Sequence, residues 1–279
     1  MSLLDFFRPT STLSAQEVRT FLDEHSPEEY NLVDVRQSKE YAEGHLPGAI
    51  WIPMDDLEQR QGNLDREKPT ISYCSAGVRS RAAATILSNA GFREVYSMKG
   101  GIREWEGLVA EGAPESDLRW FSAARSPEQY LALAWHLEEG TRQFYARLSE
   151  ELRDQEAVGL FRELAVAEVR HKGMLVALYE GFAGKPAGDD FPDAAMPERP
   201  VDQYMEGGMR VKEALEWTQG RQIRDILDLA IGLEAVAYDR YLILRRELDD
   251  ENARRVFEVL SDEERRHLQK LTRLFDHFI

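Results

Sequence analysis

The stretch FRELAVAEVRH, residues 161–171, has a counterpart 96 positions later in FEVLSDEERRH, residues 257–267. Both copies end in a Glu-x-x-His pair. Residues three positions apart lie on one face of an α-helix, one turn from each other, so each pair can bind a single metal ion. The two pairs are Glu168 with His171 and Glu264 with His267.

A second segment, upstream of each pair, repeats at the same offset. Glu138 and Glu234 each follow an alanine and a leucine that share one helical stripe with them. Such a stripe packs inward, so each glutamate is predicted to face the interior. Two helices per copy then form a four-helix bundle with four carboxylates and two imidazoles in its core, as in di-iron and di-manganese carboxylate proteins. These donors favour iron or manganese, and the absence of cysteine from this region argues against structural zinc.

A Glu-x-x-His pair also has a simpler interpretation. On a charged helix it usually belongs to a solvated face, and short motifs often arise by chance. The repetition weakens that interpretation, because a buried carboxylate without a partner is costly and four of them are predicted here. The pattern therefore favours a metal site.

Residues 126–279 resemble the rubrerythrin branch of the ferritin-like superfamily. The resemblance rests on EEGTRQFY at 138–145 and EAVAYDRY at 234–241, each followed by Glu-x-x-His. Arg240 departs from the family, which carries an aromatic residue at this position. The resemblance implies two bound iron ions, with manganese as the alternative. The six implied ligands are Glu138, Glu168, His171, Glu234, Glu264 and His267.

Two tyrosines accompany the ligand pattern. Tyr145 and Tyr241 each follow a glutamate by seven residues, two turns along the same helical face. We therefore expect each hydroxyl to support a metal-bound carboxylate. The alternative is an ordinary core aromatic with a polar tip.

The one cysteine of the chain, Cys74, lies in ISYCSAGVRS, residues 71–80. A strand-like run ends at this residue, Gly77 permits an unusual turn, and helical composition follows. Backbone N–H groups at a helix N-terminus stabilise an anionic sulfur and lower the pKa of the thiol, and Arg79 adds positive charge. The more common alternative for a lone cysteine is a buried, inert side chain.

Residues 10–110 resemble a single rhodanese domain. The resemblance rests on VDVR at 33–36, EYAEGHLPGA at 40–49, the Cys-x-x-Gly-x-Arg-Ser loop, and Gly100-Gly101 with Trp105. It implies that Cys74 is a nucleophile that takes sulfane sulfur from a small donor and passes it to a thiol acceptor, with Arg79 as its catalytic partner. The loop from Cys74 to Arg79 has six residues, as in sulfurtransferases, whereas related phosphatases use a longer loop. The residues expected to cradle the substrate are Ser75, Ala76, Gly77, Val78 and Ser80. Asp34 and Arg36 are expected to orient this loop by hydrogen bonds and charge.

The length of 279 residues predicts about two domains. We expect an α/β rhodanese-like domain with a mainly parallel sheet at 1–115 and an all-α ferritin-like four-helix bundle at 116–279. A short linker rich in Gly, Pro and acidic residues joins them near 111–117. A long crossover at about 182–219, with a short helix within 201–218, is predicted inside the bundle. We expect a homodimer, and the length of the crossover leaves open that helix pairs are swapped between its two chains.

Composition limits the partners. The formal net charge is −16 and neither domain is basic, which argues against nucleic acid. No apolar run reaches the length of a membrane span and no signal peptide is evident, so we expect a cytoplasmic protein without a membrane partner. One cysteine fits a reducing compartment but cannot hold the four-cysteine iron of many rubrerythrins. Electrons must therefore come from an external donor, or the sulfur domain must supply reducing equivalents, and no organic cofactor is expected.

The two signatures together predict a bifunctional enzyme. We expect a rhodanese-type sulfurtransferase joined to a di-iron domain with oxidoreductase or peroxidase activity, serving sulfur or oxidative-stress metabolism. The alternative is a persulfide carrier or docking module on an iron-storage bundle, or on a metal-free oligomerisation bundle, without turnover.

Overall fold

A computed structural model describes residues 11–112, 126–196, 203–247 and 251–278 of the chain. The chain divides into two compact units, Met1–Pro114 and Glu115–Ile279. Residues 113–117 of the expected linker lie outside the described residues. Within the described part of the chain, no helix is long and apolar enough to cross a membrane.

The first unit contains a five-stranded sheet in which every neighbouring pair is parallel. Its strands, in the spatial order β1-β5-β4-β2-β3, are β1 (Ser11–Leu13), β2 (Asn31–Asp34), β3 (Ile50–Trp51), β4 (Thr70–Tyr73) and β5 (Val95–Met98). The predicted α/β fold with a parallel sheet is confirmed. Strands β1 and β3 are not predicted by the sequence pattern, because runs of three and two residues are too short to show a periodicity.

Helices cover both faces of this sheet, as parallel sheets require. The helices of the first unit are α1 (Ala15–Glu24), α2 (Ser38–Ala42), α3 (Leu57–Arg60) and α4 (Val78–Asn89). Ile71 and Tyr73 of β4 lie in one core cluster with Val18 of α1, whereas Cys74 lies in the opposite cluster with Ala83 of α4. Alternation along the strand therefore directs Cys74 towards α4.

The second unit is an all-α bundle, as predicted. Its helices are α5 (Pro127–Glu151), α6 (Gln155–Ala183), α7 (Val211–Thr218), α8 (Ile223–Glu247) and α9 (Glu251–Asp276). Helix α5 packs against α6, α8 against α9, and α6 against α9. Ser126 caps α5, since its hydroxyl accepts a hydrogen bond from the N–H of Gln129.

The crossover between the two helix pairs runs from Gly184 to the start of α8. Helix α6 ends at Ala183 because Gly184 takes the left-handed conformation, at φ 64°, that terminates many helices. Short helix α7 occupies part of the crossover, at 211–218. Before it, residues 203–211 form a tight turn closed by an antiparallel bridge between Tyr204 and Arg210. Pro197 and Pro200, two of the prolines expected to interrupt the helix, lie outside the described residues.

Candidate functional sites

Cys74 follows β4 directly and precedes the turn that leads into α4. Its side chain is 1% exposed, and its Sγ accepts a hydrogen bond from the N–H of Gly77 at 3.1 Å. Gly77 has a φ of 86°, a left-handed conformation that strains other residues. Burial raises the pKa of the thiol, but hydrogen bonds from Ser80, Ala76 and Gly77 outweigh it and hold the pKa below that of an ordinary cysteine. The loop therefore favours the thiolate, which is the nucleophilic form.

Arg79 is fixed beside this loop by Glu40. Two guanidinium N–H groups donate to the Glu40 carboxylate at 2.7 Å, and one also donates to Ser75 Oγ at 2.9 Å. Hydrogen bonds from Arg79 lower the pKa of Glu40 to about 2. The pKa of Arg79 is raised, first by Glu40 and further by attraction to Cys74. The guanidinium thus supplies a fixed positive charge within reach of the sulfur.

Glu40 is a site residue that was not predicted from the sequence. Glu40 lies in the motif that indicates the rhodanese resemblance, but its partner Arg79 is 39 positions away. Local spacing shows no link between these positions, and only the sheet brings them together.

A glycine turn supports the other side of the Cys74 loop. The N–H of Ile102 donates to the carbonyl of Cys74 at 2.8 Å, and the N–H of Arg103 donates to that of Ser75 at 3.2 Å. A Cβ atom on Gly101 would lie 2.1 Å from the carbonyl oxygen of Cys74. Only glycine therefore allows this close approach.

The remaining residues predicted around Cys74 differ in what they contact. Asp34 and Arg36 form a buried ion pair at 2.6 Å, and the guanidinium of Arg36 lies 5.6 Å from the ring centre of Tyr73. The ion pair therefore lies beside Tyr73, the residue before Cys74. The guanidinium of Arg36 also donates a hydrogen bond to the carbonyl of Gly44. Val78 is 68% exposed, so only its backbone can contribute to the predicted substrate cradle.

In the helical bundle, all six candidate ligands are buried and lie on four helices. Glu138 comes from α5, the Glu168 pair from α6, Glu234 from α8 and the Glu264 pair from α9. Three sets of described residues bring ligand atoms within 4.8 Å of one another; two of them consist only of candidate ligands, and the third contains Glu263 with His171 and His267. The first set is Glu138, Glu168, His171 and Glu264, and the second is Glu168, Glu234 and His267. Glu168 belongs to both sets, so the geometry fits two neighbouring ions that share this carboxylate.

Both histidines direct Nδ1 at the carboxylates. His171 Nδ1 lies 2.9 Å from Glu168 Oε2 and 3.1 Å from Glu138 Oε2. His267 Nδ1 lies 3.2 Å from Glu264 Oε2. The two rings are stacked, with centroids 5.4 Å apart and planes 20° from parallel. The imidazoles therefore lie side by side at the centre of the bundle.

The donor set fits a pair of cations. Both oxygens of Glu168 and of Glu264, and Nε2 of His171, form no hydrogen bond within the described residues. Burial raises the pKa of Glu168 and Glu264 well above that of an ordinary glutamate, and the neighbouring carboxylates Glu138 and Glu234 raise it further. Bound cations would relieve this crowding of negative charge, and carboxylates with imidazoles suit iron or manganese.

The two predicted tyrosines contact the ligand glutamates of the opposite repeat. Tyr145 donates its hydroxyl proton to Glu234, and Tyr241 donates to Glu138. Burial is the main cause that raises the pKa of each phenol. Both hydroxyls therefore stay protonated and act as donors.

A fifth buried carboxylate, Glu206, lies near the six candidate ligands and was not predicted from the sequence. It comes from the turn before α7, and its Oε1 accepts a hydrogen bond from Tyr241 at 2.5 Å. Glu206 lies outside the 96-residue repeat and outside any helix, so no periodic signal marks it. The one indirect signal is Arg240, the departure from the family pattern, which donates to the carbonyl of Glu206.

Comparisons with known proteins identify both domains. The family model described as Rhodanese-like domain matches residues 14–108, and the Rubrerythrin model matches residues 225–278. Thiosulfate sulfurtransferase GlpE of Coxiella burnetii is 37% identical over 75 residues, which cover 27% of this chain and 70% of GlpE. Protein YqhL of Bacillus subtilis (strain 168) is 41% identical over 78 residues, 28% of this chain and 62% of YqhL. A rhodanese-like domain protein from Staphylococcus aureus shares 27% identity at a TM-score of 0.34, over 37% of this chain and 100% of that one.

The coverage of these matches is partial. This chain spans less than two thirds of YqhL, and the rubrerythrin match covers α8 and α9. Helices α5 and α6 are connected to that match by the internal repeat of ligands 96 positions apart.

Proposed function

We propose that this chain, which belongs to the rhodanese-like family and carries a rubrerythrin domain, transfers sulfane sulfur at Cys74 and binds two iron ions in its bundle. The observation that carries the first activity is the hydrogen-bonded, partly neutralised environment of the Cys74 sulfur. The second is supported by the two overlapping sets of buried ligands that share Glu168.

Sulfur transfer would proceed in two balanced displacements. The Cys74 thiolate attacks the outer sulfur of thiosulfate, whose S–S bond breaks, and sulfite leaves with the bonding electron pair. Cys74 then carries a persulfide. An acceptor thiolate attacks the outer sulfur of that persulfide, the new S–S bond forms, and the Cys74 thiolate leaves. No oxidant or reductant is consumed in either step.

The loop residues stabilise the negative charge throughout this cycle. The Gly77 amide donates to the sulfur, and the amides of Ala76 and Ser80 lower the pKa of Cys74. Arg79 adds a positive charge that attracts an anionic donor such as thiosulfate, and Glu40 with Ser75 keeps its guanidinium in place. The small sulfur donors and thiol acceptors are thus part of this proposal.

The six bundle ligands would hold two iron ions, or manganese ions in their place. The bound pair would supply a two-electron redox centre for oxygen, peroxide or a sulfur species. Glu168 would contact both ions, and the two histidines would complete one position each. Tyr145 and Tyr241 hold Glu234 and Glu138 in the orientation that faces the centre.

The physiological setting of this chain is also a proposal. A role in sulfur or oxidative-stress metabolism follows from joining a persulfide site to a metal redox centre. One cysteine cannot hold a rubredoxin-type iron, so an external electron donor, or the sulfur domain, would supply the electrons. A homodimer, with or without swapped helix pairs, is the proposed assembly.

Two measurements on the purified full chain test this function. Steady-state transfer from thiosulfate to cyanide should produce thiocyanate, and Cys74→Ala should abolish it. A persulfide that forms on Cys74 without turnover would instead make the domain a carrier. Anaerobic titration with Fe²⁺ should load two ions per chain, and a chain that binds none would refute the metal centre while leaving the sulfur proposal intact.

A further inference from the structure

The backbone of Glu206 is held between the first helices of the two pairs. Its N–H donates to Thr141 Oγ1 of α5 at 3.3 Å, and its carbonyl accepts from the guanidinium of Arg240 in α8. A Cβ atom on Gly140 would lie 2.1 Å from the carbonyl oxygen of Tyr204, in the same turn as Glu206. The turn can reach this depth only because α5 has a glycine there.

The two repeats differ at the positions that contact the turn around Glu206. Under the offset of 96 residues, Gly140 aligns with Val236, Thr141 with Ala237, and Phe144 with Arg240. Gly140 admits the turn, Thr141 accepts from the N–H of Glu206, and Arg240 donates to its carbonyl. The three residues that break the internal repeat therefore all hold the turn that places Glu206. The rest of the ligand centre is repeated, so Glu206 lies on one side of it only.

The carboxylate of Glu206 lacks a complete set of partners. Its residue is 2% exposed, Oε1 accepts from Tyr241, and Oε2 forms no hydrogen bond within the described residues. A buried carboxylate in this condition is costly unless a cation is bound to it. Both oxygens of Glu168, a predicted ligand, are in the same condition. The Tyr241 hydroxyl, which has a single proton, lies within hydrogen-bond distance of both Glu138 and Glu206, so the two carboxyl groups meet at one phenol oxygen.

We propose that Glu206 is a fifth carboxylate ligand of the metal centre, whose carboxylate turns from its position outside the three ligand sets to bind the ion on the Glu138 side. The inference rests on the proposed two-metal function. It makes the two metal positions inequivalent, because Glu206 is the one buried carboxylate among the described residues that lies beside this centre and outside the repeated positions. The extra negative charge would also favour the higher oxidation state of the ion that Glu206 binds.

The test uses the full chain, stripped of metal and reloaded anaerobically with ⁵⁷Fe²⁺. Glu206→Gln removes the charge but keeps an oxygen that can accept from Tyr241. We expect this substitution to lower the affinity for one of the two iron ions by at least about tenfold, measured by competition with a chelator. One of the two Mössbauer doublets should change and the other should stay. Glu213→Gln, an exposed substitution in α7, is the matched control and should change neither.

Metal-free stability separates a ligand from a structural residue. Since the amide is easier to bury than a carboxylate, metal-free Glu206→Gln should unfold at the same temperature as the parent chain or higher. A lower unfolding temperature, with both iron affinities unchanged, would overturn the proposal and leave Glu206 as a structural residue.

A double-mutant cycle separates direct binding from an effect through Tyr241. If Glu206 is a ligand, Glu206→Gln should still weaken one ion in a Tyr241→Phe background. Loss of the effect in that background would overturn direct binding. A parent chain that binds no Fe²⁺ would refute the metal centre itself, whereas two ions bound with equal affinity in the parent chain and in Glu206→Gln would refute this inference alone.

Discussion

Tyr241 of α8 donates a hydrogen bond to Glu138 of α5, 103 positions earlier in the chain. The reciprocal contact joins Tyr145 to Glu234. Each repeat therefore supplies the phenol that orients the glutamate of the other. Neither helix pair forms a complete centre alone, which makes metal binding sensitive to how the pairs pack.

Removing one of these phenols should weaken metal binding. Tyr145→Phe deletes the hydroxyl that donates to Glu234 and keeps the ring that stacks on Phe161. Supporting residues of this kind typically contribute about 10- to 100-fold in metal affinity, and a loss of that order is expected in an Fe²⁺ competition assay. Tyr130→Phe, on the same helix, is the control. Unchanged affinity in Tyr145→Phe would show that the phenol is only a packing residue.

Because Glu168 belongs to both ligand sets, its removal should cost more bound metal ions per chain than removal of Glu234. Glu168 belongs to both ligand sets, whereas Glu234 belongs to the second set only. Glu168→Ala should therefore reduce binding from two ions to fewer than one per chain, while Glu234→Ala should leave about one. Metal analysis after desalting measures both. Glu163→Ala on the exposed face of α6 should keep two ions, and equal losses in Glu168→Ala and Glu234→Ala would contradict the sharing.

Iron affinity should rise with pH. Burial and neighbouring carboxylates raise the pKa of Glu168 and Glu264, so protons occupy these groups in the folded, metal-free chain at higher pH than in free glutamate. Metal binding must displace these protons, and affinity falls as the pH is lowered. Titrations of the metal-free chain with Fe²⁺ between about pH 5 and 8 should release fewer protons per bound ion as the pH rises. Binding that is independent of pH across this window would contradict the raised pKa values.

The charge of Arg79 should be detectable in the reactivity of Cys74. Without the guanidinium, the pKa of the thiol should rise and the thiolate fraction at neutral pH should fall. Arg79→Ala is therefore expected to slow alkylation of Cys74 at pH 7 by up to about tenfold and to shift its pH profile upwards. Arg93→Ala, at an exposed position that pairs with Glu67, is the control. Superimposable profiles for Arg79→Ala and the parent chain would refute this electrostatic role.

Gly101 and Gly91 offer a matched pair of substitutions. Both have positive φ, at 63° and 90°, so alanine strains the backbone at either position by roughly 1–2 kcal/mol. A Cβ at Gly101 would also lie 2.1 Å from the Cys74 carbonyl oxygen, while one at Gly91 meets nothing within 4 Å. Gly101→Ala should therefore reduce sulfur transfer much more than Gly91→Ala. Comparable kcat/KM values for the two variants would show that the turn at Gly101 does not position the loop.

Some of the site follows from local sequence. The spacing of Glu168 and His171 places both side chains on one helical face, whatever the rest of the chain does. The strand, left-handed glycine and helix around Cys74 are also encoded within about ten residues. These patterns predicted the parallel α/β domain, the helical bundle and the candidate ligands, because hydrogen bonds and side-chain directions in helices and strands depend on near neighbours.

Other relationships depend on residues that are distant in the chain. Glu40 meets Arg79 across 39 positions, and Glu206 reaches Tyr241 across 35, from a turn without any periodic pattern. The short strands β1 and β3 likewise exist only by pairing with β5 and β2. The amino-acid sequence by itself determined which chemical groups each helix and loop presents. Packing alone decided which of these groups meet, because burial of apolar faces brings together elements whose separation in sequence carries no information about distance.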